Sequence, residues 1–228
     1  MSIADRLASV RADIDEACRA AGRDPAEVRL LPVSKYHGVD QIREAHSAGY
    51  ALFGENKVQE MAAKHADLAA EGIGFAVIGH VQTNKARQVA EFATELHSLD
   101  SLRLAEVLNR RLVDLERRLP VLVQVNTSGE ATKSGIEPAD AVAFARALAP
   151  FEALEPRGLM TMALNSADLD GVAQCFELLA LTRASVRDAL GGGWDELSMG
   201  MSGDFRIAIA HGATTVRLGT AVFGPRQY

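Results

Sequence analysis

Ile3, Leu7, Val10, Ile14, Ala17 and Ala21 recur at three- and four-residue steps and stop at Gly22, which predicts an amphipathic helix over residues 2–21. A short apolar run follows at 28–34, and Val39, Ile42 and Ala45 then step out a helix closed by Gly49. The alternation continues. Leu52-Phe53 leads into Gly54-Glu55-Asn56, and Val58, Met61, His65 and Leu68 carry a helix to Gly72. FAVIGH (75–80) is a further strand signal, followed by a helix opened by Thr83 or Asn84. ELHSLD (95–100) is a weak strand, and Ser101 caps a helix through Leu115. PVLVQVN (120–126) is the clearest strand of the chain. After it come a helix from Pro138 to Leu148, a strand at 157–160 and a long helix at 168–190 stopped by Gly191-Gly192-Gly193. LSMGMSGD (197–204) ends a strand in a Gly/Ser loop, a short helix reaches Gly212, and TTVRLGTAVFG (214–224) comes last.

Strictly alternating strands and helices imply a parallel sheet, and eight strand signals imply closure into a barrel. The expected architecture is α/β, a single (β/α)8 TIM-type barrel domain over residues 1–228, with the N-terminal helix packed where an eighth helix would lie. A doubly wound open sheet is the alternative. Polar residues follow nearly every strand, which favours the barrel.

Composition narrows the function. A chain of 228 residues, 48% of them hydrophobic, suits one α/β barrel core. No apolar run has membrane-spanning length, and no membrane partner is expected. A formal charge of −6 argues against a nucleic-acid backbone as partner, and an aromatic content of 5% argues against a base-stacking platform. Cys18 and Cys175 fall in helical patterns without ligand-like neighbours, as idle thiols in a reducing cytoplasm would.

The C-terminal ends of barrel strands converge on one face, where ligand and catalytic groups sit. Here those ends carry Lys35, Asn56, His80, Asn126, Met160, Ser198 to Gly203 and Arg217 to Thr220. Lys35 follows the first apolar run, and partial burial of such an amine lowers its pKa toward nucleophilicity. By itself a lysine at a strand end more often reaches out to solvent. Ser202-Gly203 opens the helix at 204–211, and Gly219-Thr220 offers close backbone approach plus a hydroxyl. Together these two loops form an expected phosphate site. An amine and a phosphate site on one face point to a phosphorylated carbonyl compound held as a Schiff base, either pyridoxal 5′-phosphate (PLP) or the substrate of a sugar-phosphate aldolase. Arg217 separates the two. A permanent cation at the barrel mouth suits a pyridine nitrogen and holds it unprotonated, which weakens the ring as an electron sink. An aldolase would want a carboxylate near the imine, and Glu55 is the nearest candidate.

The motifs VSK (33–35), FGENKVQE (53–60), IGHVQTNK (78–85), VLVQVNTSGEATKSG (121–135), RGLMTM (157–162), LSMGMSGDF (197–205) and VRLGTAVFG (216–224) span nearly the whole chain in order. In them the chain resembles the pyridoxal phosphate homeostasis protein family, whose barrel is similar to that of alanine racemase (fold type III of PLP proteins). The resemblance implies that Lys35 carries PLP as an internal aldimine and that Arg217 faces the pyridine nitrogen. It also implies that Ser202, Gly219 and Thr220 hold the phosphate, with Asn56 near the ring. Met160 is a further candidate, packing in a barrel layer or against the ring. Tyr36-His37-Gly38 departs from the Thr-Lys-Pro more usual beside the lysine. Similar racemases add a β-rich domain and a tyrosine that supplies a second acid/base, and no such domain is expected here. The implied function is therefore a carrier or buffer of PLP in vitamin B6 and amino-acid homeostasis, monomeric and without robust catalysis, passing the cofactor transiently to apo PLP enzymes. The alternative is a racemase-like PLP enzyme acting on a small amino acid.

Other polar residues have simpler readings. His80 reads more readily as a hydrogen-bonded barrel histidine than as a pocket residue. Lys85 and Lys133 are expected exposed, with Lys133 the better placed for a second anion. Met162, Met199 and Met201 are expected to pack, and Asp204 and Arg206 to cap and pair within their short helix. No metal site is expected.

Overall fold

Ser2 starts the first helix, α1 (Ile3–Ala20), with a reciprocal capping box: its hydroxyl accepts from the Asp5 amide and the Asp5 carboxylate accepts from the Ser2 amide. The computed structural model describes residues 1–130 and 132–225, so the last three residues of the expected 1–228 domain lie outside the described residues. Eight parallel strands follow α1: β1 (Arg29–Pro32), β2 (Leu52–Glu55), β3 (Gly74–Val77), β4 (Glu95–Leu99), β5 (Leu119–Gln124), β6 (Leu154–Met160), β7 (Glu196–Ser198) and β8 (Thr215–Leu218). They run in the order β1-β8-β7-β6-β5-β4-β3-β2. A bridge between Val33 and Gly54, with the Ser34 amide donating to the Gly54 carbonyl at 3.0 Å, brings β1 against β2 and closes the ring. The fold is the expected (β/α)8 barrel.

The helices lie between the strands: α2 (Val39–Ser47), α3 (Val58–Leu68), α4 (Ala86–Phe92), α5 (Leu102–Asp114), α6 (Ala141–Ala147), α7 (Leu169–Leu190), α8 (Phe205–Ala210) and α9 (Thr220–Phe223). Strand eight leads only into the four-residue α9, which the sequence pattern does not separate from the strand. The space of a full eighth helix is taken by α1, as expected. Its stripe of Ile3, Leu7, Val10, Ile14, Ala17 and Cys18 is buried, each large aliphatic side chain contributing about 1.5–3 kcal/mol. Arg6 of α1 donates to the Val222 carbonyl of α9 at 2.7 Å, and the Ile3 amide donates to Glu44 of α2 at 2.6 Å. Arg206 of α8 pairs with Asp13 and Glu16 of α1, so it works between helices and not within its own.

Alternation along the strands divides the core. Leu30, Phe53, Phe75, Val77, Leu96 and Val121 point outward and join the helices in the main hydrophobic layer. Inside the barrel, Leu31, Val33, Ala76 and Ile78 form a separate apolar cluster on the β1–β3 side. The β4–β8 side is polar, with buried His97, Gln124, Ser198, Thr215 and Arg217. Among the described residues no helix is long and apolar enough to cross a membrane. Cys18 and Cys175 are buried free thiols.

Candidate functional site

β1 ends in a tight turn in which the His37 amide donates to the Ser34 carbonyl at 3.0 Å. Tyr36 takes a left-handed conformation, φ +67°, which points its ring outward and leaves Lys35 partly buried on the barrel side. Lys57 lies 5.7 Å from the exposed Tyr36 ring, and the Tyr36 amide donates to Glu60 at 2.6 Å.

At this C-terminal mouth the structure holds a cavity of about 470 Å³. Lys35, Asn56, Ser202, Arg217, Gly219 and Thr220 all border it, so six of the seven residues singled out in the sequence meet in one space. Met160 does not. It is fully buried in a barrel layer at the end of β6, and Met162, two residues on, reaches the mouth instead. Val33 and Ile78 give the cavity an apolar wall, while Met201, expected to pack, also borders it. His37 and Asn165 border it too, although nothing in the sequence pattern assigns either a role there. His37 stacks on Phe223 with ring centroids 4.9 Å apart and lies 3.1 Å from Gln41.

Arg217 is 4% exposed, and its position is fixed by two bonds: Nη1 donates to Ser198 Oγ at 2.8 Å and Nη2 to the Thr161 carbonyl at 2.7 Å. Burial lowers its pKa to about 10, with Asp204 partly opposing, so the guanidinium stays charged at neutral pH. Asp204 folds back to accept from the Met201 amide at 2.5 Å, and burial raises its carboxyl pKa. It thereby shapes the loop that presents Ser202 and Gly203. Gly200, at φ +92°, lets this loop lie against α8, since a Cβ there would be 2.6 Å from the Ala208 methyl. Gly79 has a similar role for Asn56: a Cβ at 79 would fall 2.2 Å from the Asn56 carbonyl oxygen.

Glu55 does not reach the cavity. It is completely buried and accepts from Ser34 Oγ and Lys64 Nζ, both at 2.6 Å. Lys64 also donates to the Ser34 carbonyl and to Glu60, each at 2.8 Å. This cluster lies behind the turn that carries Lys35, whose backbone it grips at Ser34 and Tyr36. Burial raises the Glu55 pKa, and Lys64 and Ser34 work against that rise. Helical spacing predicts His65 on the buried face of α3, but Lys64 occupies it with Val58, Met61 and Leu68, while His65 packs against Phe92.

The remaining candidates lie apart. His80 Nδ1 is 2.8 Å from Asp100 on the exposed rim. Lys85 is only partly exposed and borders a neighbouring surface depression with Asn56 and His80. Lys133 pairs with Glu130 and donates to the Ala163 carbonyl at 3.1 Å. Asn126 is spent on its own loop, donating to the Glu130 carbonyl and accepting from Ser128. Among the described residues no cluster of three or more His, Cys, Asp or Glu side chains could hold a metal ion.

Residues 6–227 match the family model described as alanine racemase, N-terminal domain. The chain is 45% identical over 227 residues to the pyridoxal phosphate homeostasis protein of Pseudomonas aeruginosa, covering 100% of this chain and 97% of that protein. It is 40% identical over 229 residues to the protein of the same name from Escherichia coli, covering 99% and 97%. The structure of PipY from Synechococcus elongatus with PLP bound superposes with a TM-score of 0.86 at 36% identity, over 98% of this chain and 100% of that one. Matched over 100% of its length at 45% identity, and with the lysine, arginine and glycine-loop residues gathered at one mouth, the chain belongs to the pyridoxal phosphate homeostasis protein family.

Proposed function

We propose that this protein binds pyridoxal 5′-phosphate covalently through Lys35 and carries or buffers it, serving vitamin B6 and amino-acid homeostasis. The observation that carries this reading is one cavity bordered by the Lys35 amine, the Arg217 cation and two Gly–hydroxyl loops. Its volume falls in the range of about 300–1,000 Å³ usual for cofactor and small-ligand sites. Gly203 faces open space, where a Cβ would meet nothing within 4 Å, and Gly219 lies close against β1, where a Cβ would approach the Val33 carbonyl to 3.3 Å. A phosphate group can therefore approach the Gly203 backbone, while Gly219 lets its loop lie against the chain just after β1, with the Ser202 and Thr220 hydroxyls as donors. PipY, a family member with a bound-PLP structure, supports the ligand assignment.

When bound, the cofactor supplies an aldehyde for the amine and an aromatic ring able to withdraw electrons. The chain's own residues restrain that chemistry. With the group bound, the Arg217 cation would lie against the ring nitrogen and disfavour its protonation, so the ring would withdraw electrons weakly. Asn56 would orient the ring substituents, and Val33 and Ile78 give the cavity an apolar wall. The ionisable side chains bordering the cavity, among the described residues, are Lys35, His37 and Arg217. Racemisation would need a second acid/base besides Lys35, a place that only His37, stacked on Phe223, could fill among the described cavity residues; with the ring withdrawing electrons weakly, turnover is expected to be slow or absent. A cofactor held at an open barrel mouth suits transient transfer to apo PLP enzymes by a cytoplasmic monomer.

Titration with PLP is the test. Wild-type protein develops a visible absorption band, Lys35→Ala does not, and neither converts one alanine enantiomer to the other. A wild-type protein without the band sinks the binding reading. Rapid racemisation abolished by Lys35→Ala favours the alternative, a PLP enzyme acting on a small amino acid.

A further inference from the structure

A chain of hydrogen bonds runs through the polar half of the barrel interior, from its N-terminal end to the cavity. Arg29 of β1 donates to both oxygens of Glu95 at 2.7 and 2.9 Å. Glu95 Oε2 is 2.7 Å from His97 Nε2, His97 Nδ1 is 3.0 Å from Ser198 Oγ, and Ser198 Oγ is 2.8 Å from Arg217 Nη1. His97 is 1% exposed and Ser198 is fully buried.

The chemistry of the two ends fixes the outer protons, and a neutral His97 fixes the one between them. A guanidinium only donates, so Ser198 must accept from Arg217. A carboxylate only accepts, so Nε2 of His97 must carry the hydrogen that Glu95 receives. Nδ1 is then left as the acceptor for the Ser198 hydroxyl, and each polar atom of the chain is satisfied with His97 neutral. An imidazolium would turn the Ser198 proton away and set a second buried cation one hydroxyl from Arg217. The charged groups facing this line are Glu95 on the same strand, Arg29 on β1, Arg157 on β6, Glu196 on β7 and Arg217 on β8. Glu95 takes both Arg29 and His97, while burial, stronger than the Glu95 attraction, lowers the His97 pKa.

We propose that His97, as the neutral Nε2–H tautomer, is a positioning residue that acts through Ser198 to fix the donor geometry of Arg217 at the cavity. It holds the serine lone pair toward the guanidinium, and the Thr161 carbonyl clamps the other nitrogen. This rests on the reading of Arg217 as the group facing the bound ring, and it assigns the β4 histidine a part in setting the ring's electronic state.

Ligand-free protein labelled with ¹⁵N, probed by long-range ¹H–¹⁵N correlation, tests the relay without any cofactor. His97 is expected to show the Nε2–H pattern unchanged between about pH 5.5 and 8.5, across the range where an ordinary histidine titrates. Ser198→Ala is expected to speed hydrogen exchange at the Arg217 guanidinium. In PLP-loaded protein, Ser198→Ala and His97→Asn should shift the visible band and weaken PLP retention about tenfold, the loss of one charge-assisted bond. Thr182→Ala, which removes a buried hydroxyl bonded to Leu178 on α7, controls for general loosening and should leave the band in place. An Nδ1–H or titrating His97, or a Ser198→Ala protein with wild-type Arg217 exchange, overturns the relay. If wild-type protein forms no band, the cofactor reading fails, while the ligand-free measurements still judge the relay.

Discussion

Replacing Lys64 with Met removes one half of a buried ion pair while keeping a long, unbranched side chain. Lys64 is 7% exposed and makes three bonds, to Glu55, Glu60 and the Ser34 carbonyl. The variant leaves Glu55 with the Ser34 hydroxyl alone, and its second oxygen already has no partner. Breaking a buried pair from one side costs about 3–5 kcal/mol, which for a chain of this size lowers Tm by roughly 6–20 °C. The pH dependence gives the sharper test. The Glu55 pKa is already raised in the folded state, and loss of the lysine raises it further. Folding then takes up a proton wherever pH lies between the unfolded and folded values of this carboxyl. Stability is therefore retained below the unfolded value and lost as pH rises through the folded one. Urea unfolding at acidic and mildly alkaline pH should show a Lys64→Met penalty that grows with pH, and Glu55→Gln in the same chain should remove much of it. Because the cluster grips the backbone at Ser34 and Tyr36, PLP retention at Lys35 should fall with it. A penalty below about 1 kcal/mol at both pH values, the level of an exposed pair, would refute the reasoning.

The same geometry sets outcomes elsewhere in the barrel. For Glu95, burial pushes the pKa up, and hydrogen bonds from His97 and Arg29 together with the Arg29 charge more than offset it, taking the pKa down to about 2. Its contribution, roughly 3 kcal/mol, is present above the unfolded carboxyl value and lost as pH falls toward 2. Acid titration of stability should therefore be flatter in Glu95→Gln, and identical curves would contradict the assignment. Gly79→Ala forces the Asn56 carbonyl away from its 2.2 Å clash, so PLP affinity should drop about tenfold, the cost of roughly one misplaced hydrogen-bonding group, as read by absorption titration. Ile14→Ala should cost about 2–5 kcal/mol in urea unfolding, because this fully buried side chain belongs to the helix that fills the eighth position. A cost under 1 kcal/mol would mean that α1 is only loosely attached.

Much of the fold is legible because barrel construction repeats local signals. Apolar runs mark strands, glycines and caps mark helix ends, and polar residues at strand ends mark the mouth. Lys35, Arg217 and the two glycine loops are visible for that reason. Met160 misses the cavity by a single strand period: it is the last residue of β6 and faces inward, so the next side chain able to reach the cavity is Met162. Lys64 escapes the sequence pattern because helical spacing places 64 and 65 near one face, and hydrophobicity favours the histidine. Only the three-dimensional neighbours Glu55 and Glu60 make a buried lysine tolerable there. The His97 relay draws on positions 29, 95, 97, 198 and 217, which have no local relation in the chain and meet only when the barrel closes. The four residues of α9 are too few for a periodic signal.

Borohydride reduction of the PLP-loaded protein, followed by peptide mass mapping, tests the central claim most directly. The account predicts a pyridoxyl mass on the peptide carrying Lys35, at about one equivalent, with none in Lys35→Ala. A label on Lys85 or Lys133 with Lys35 unmodified would contradict it.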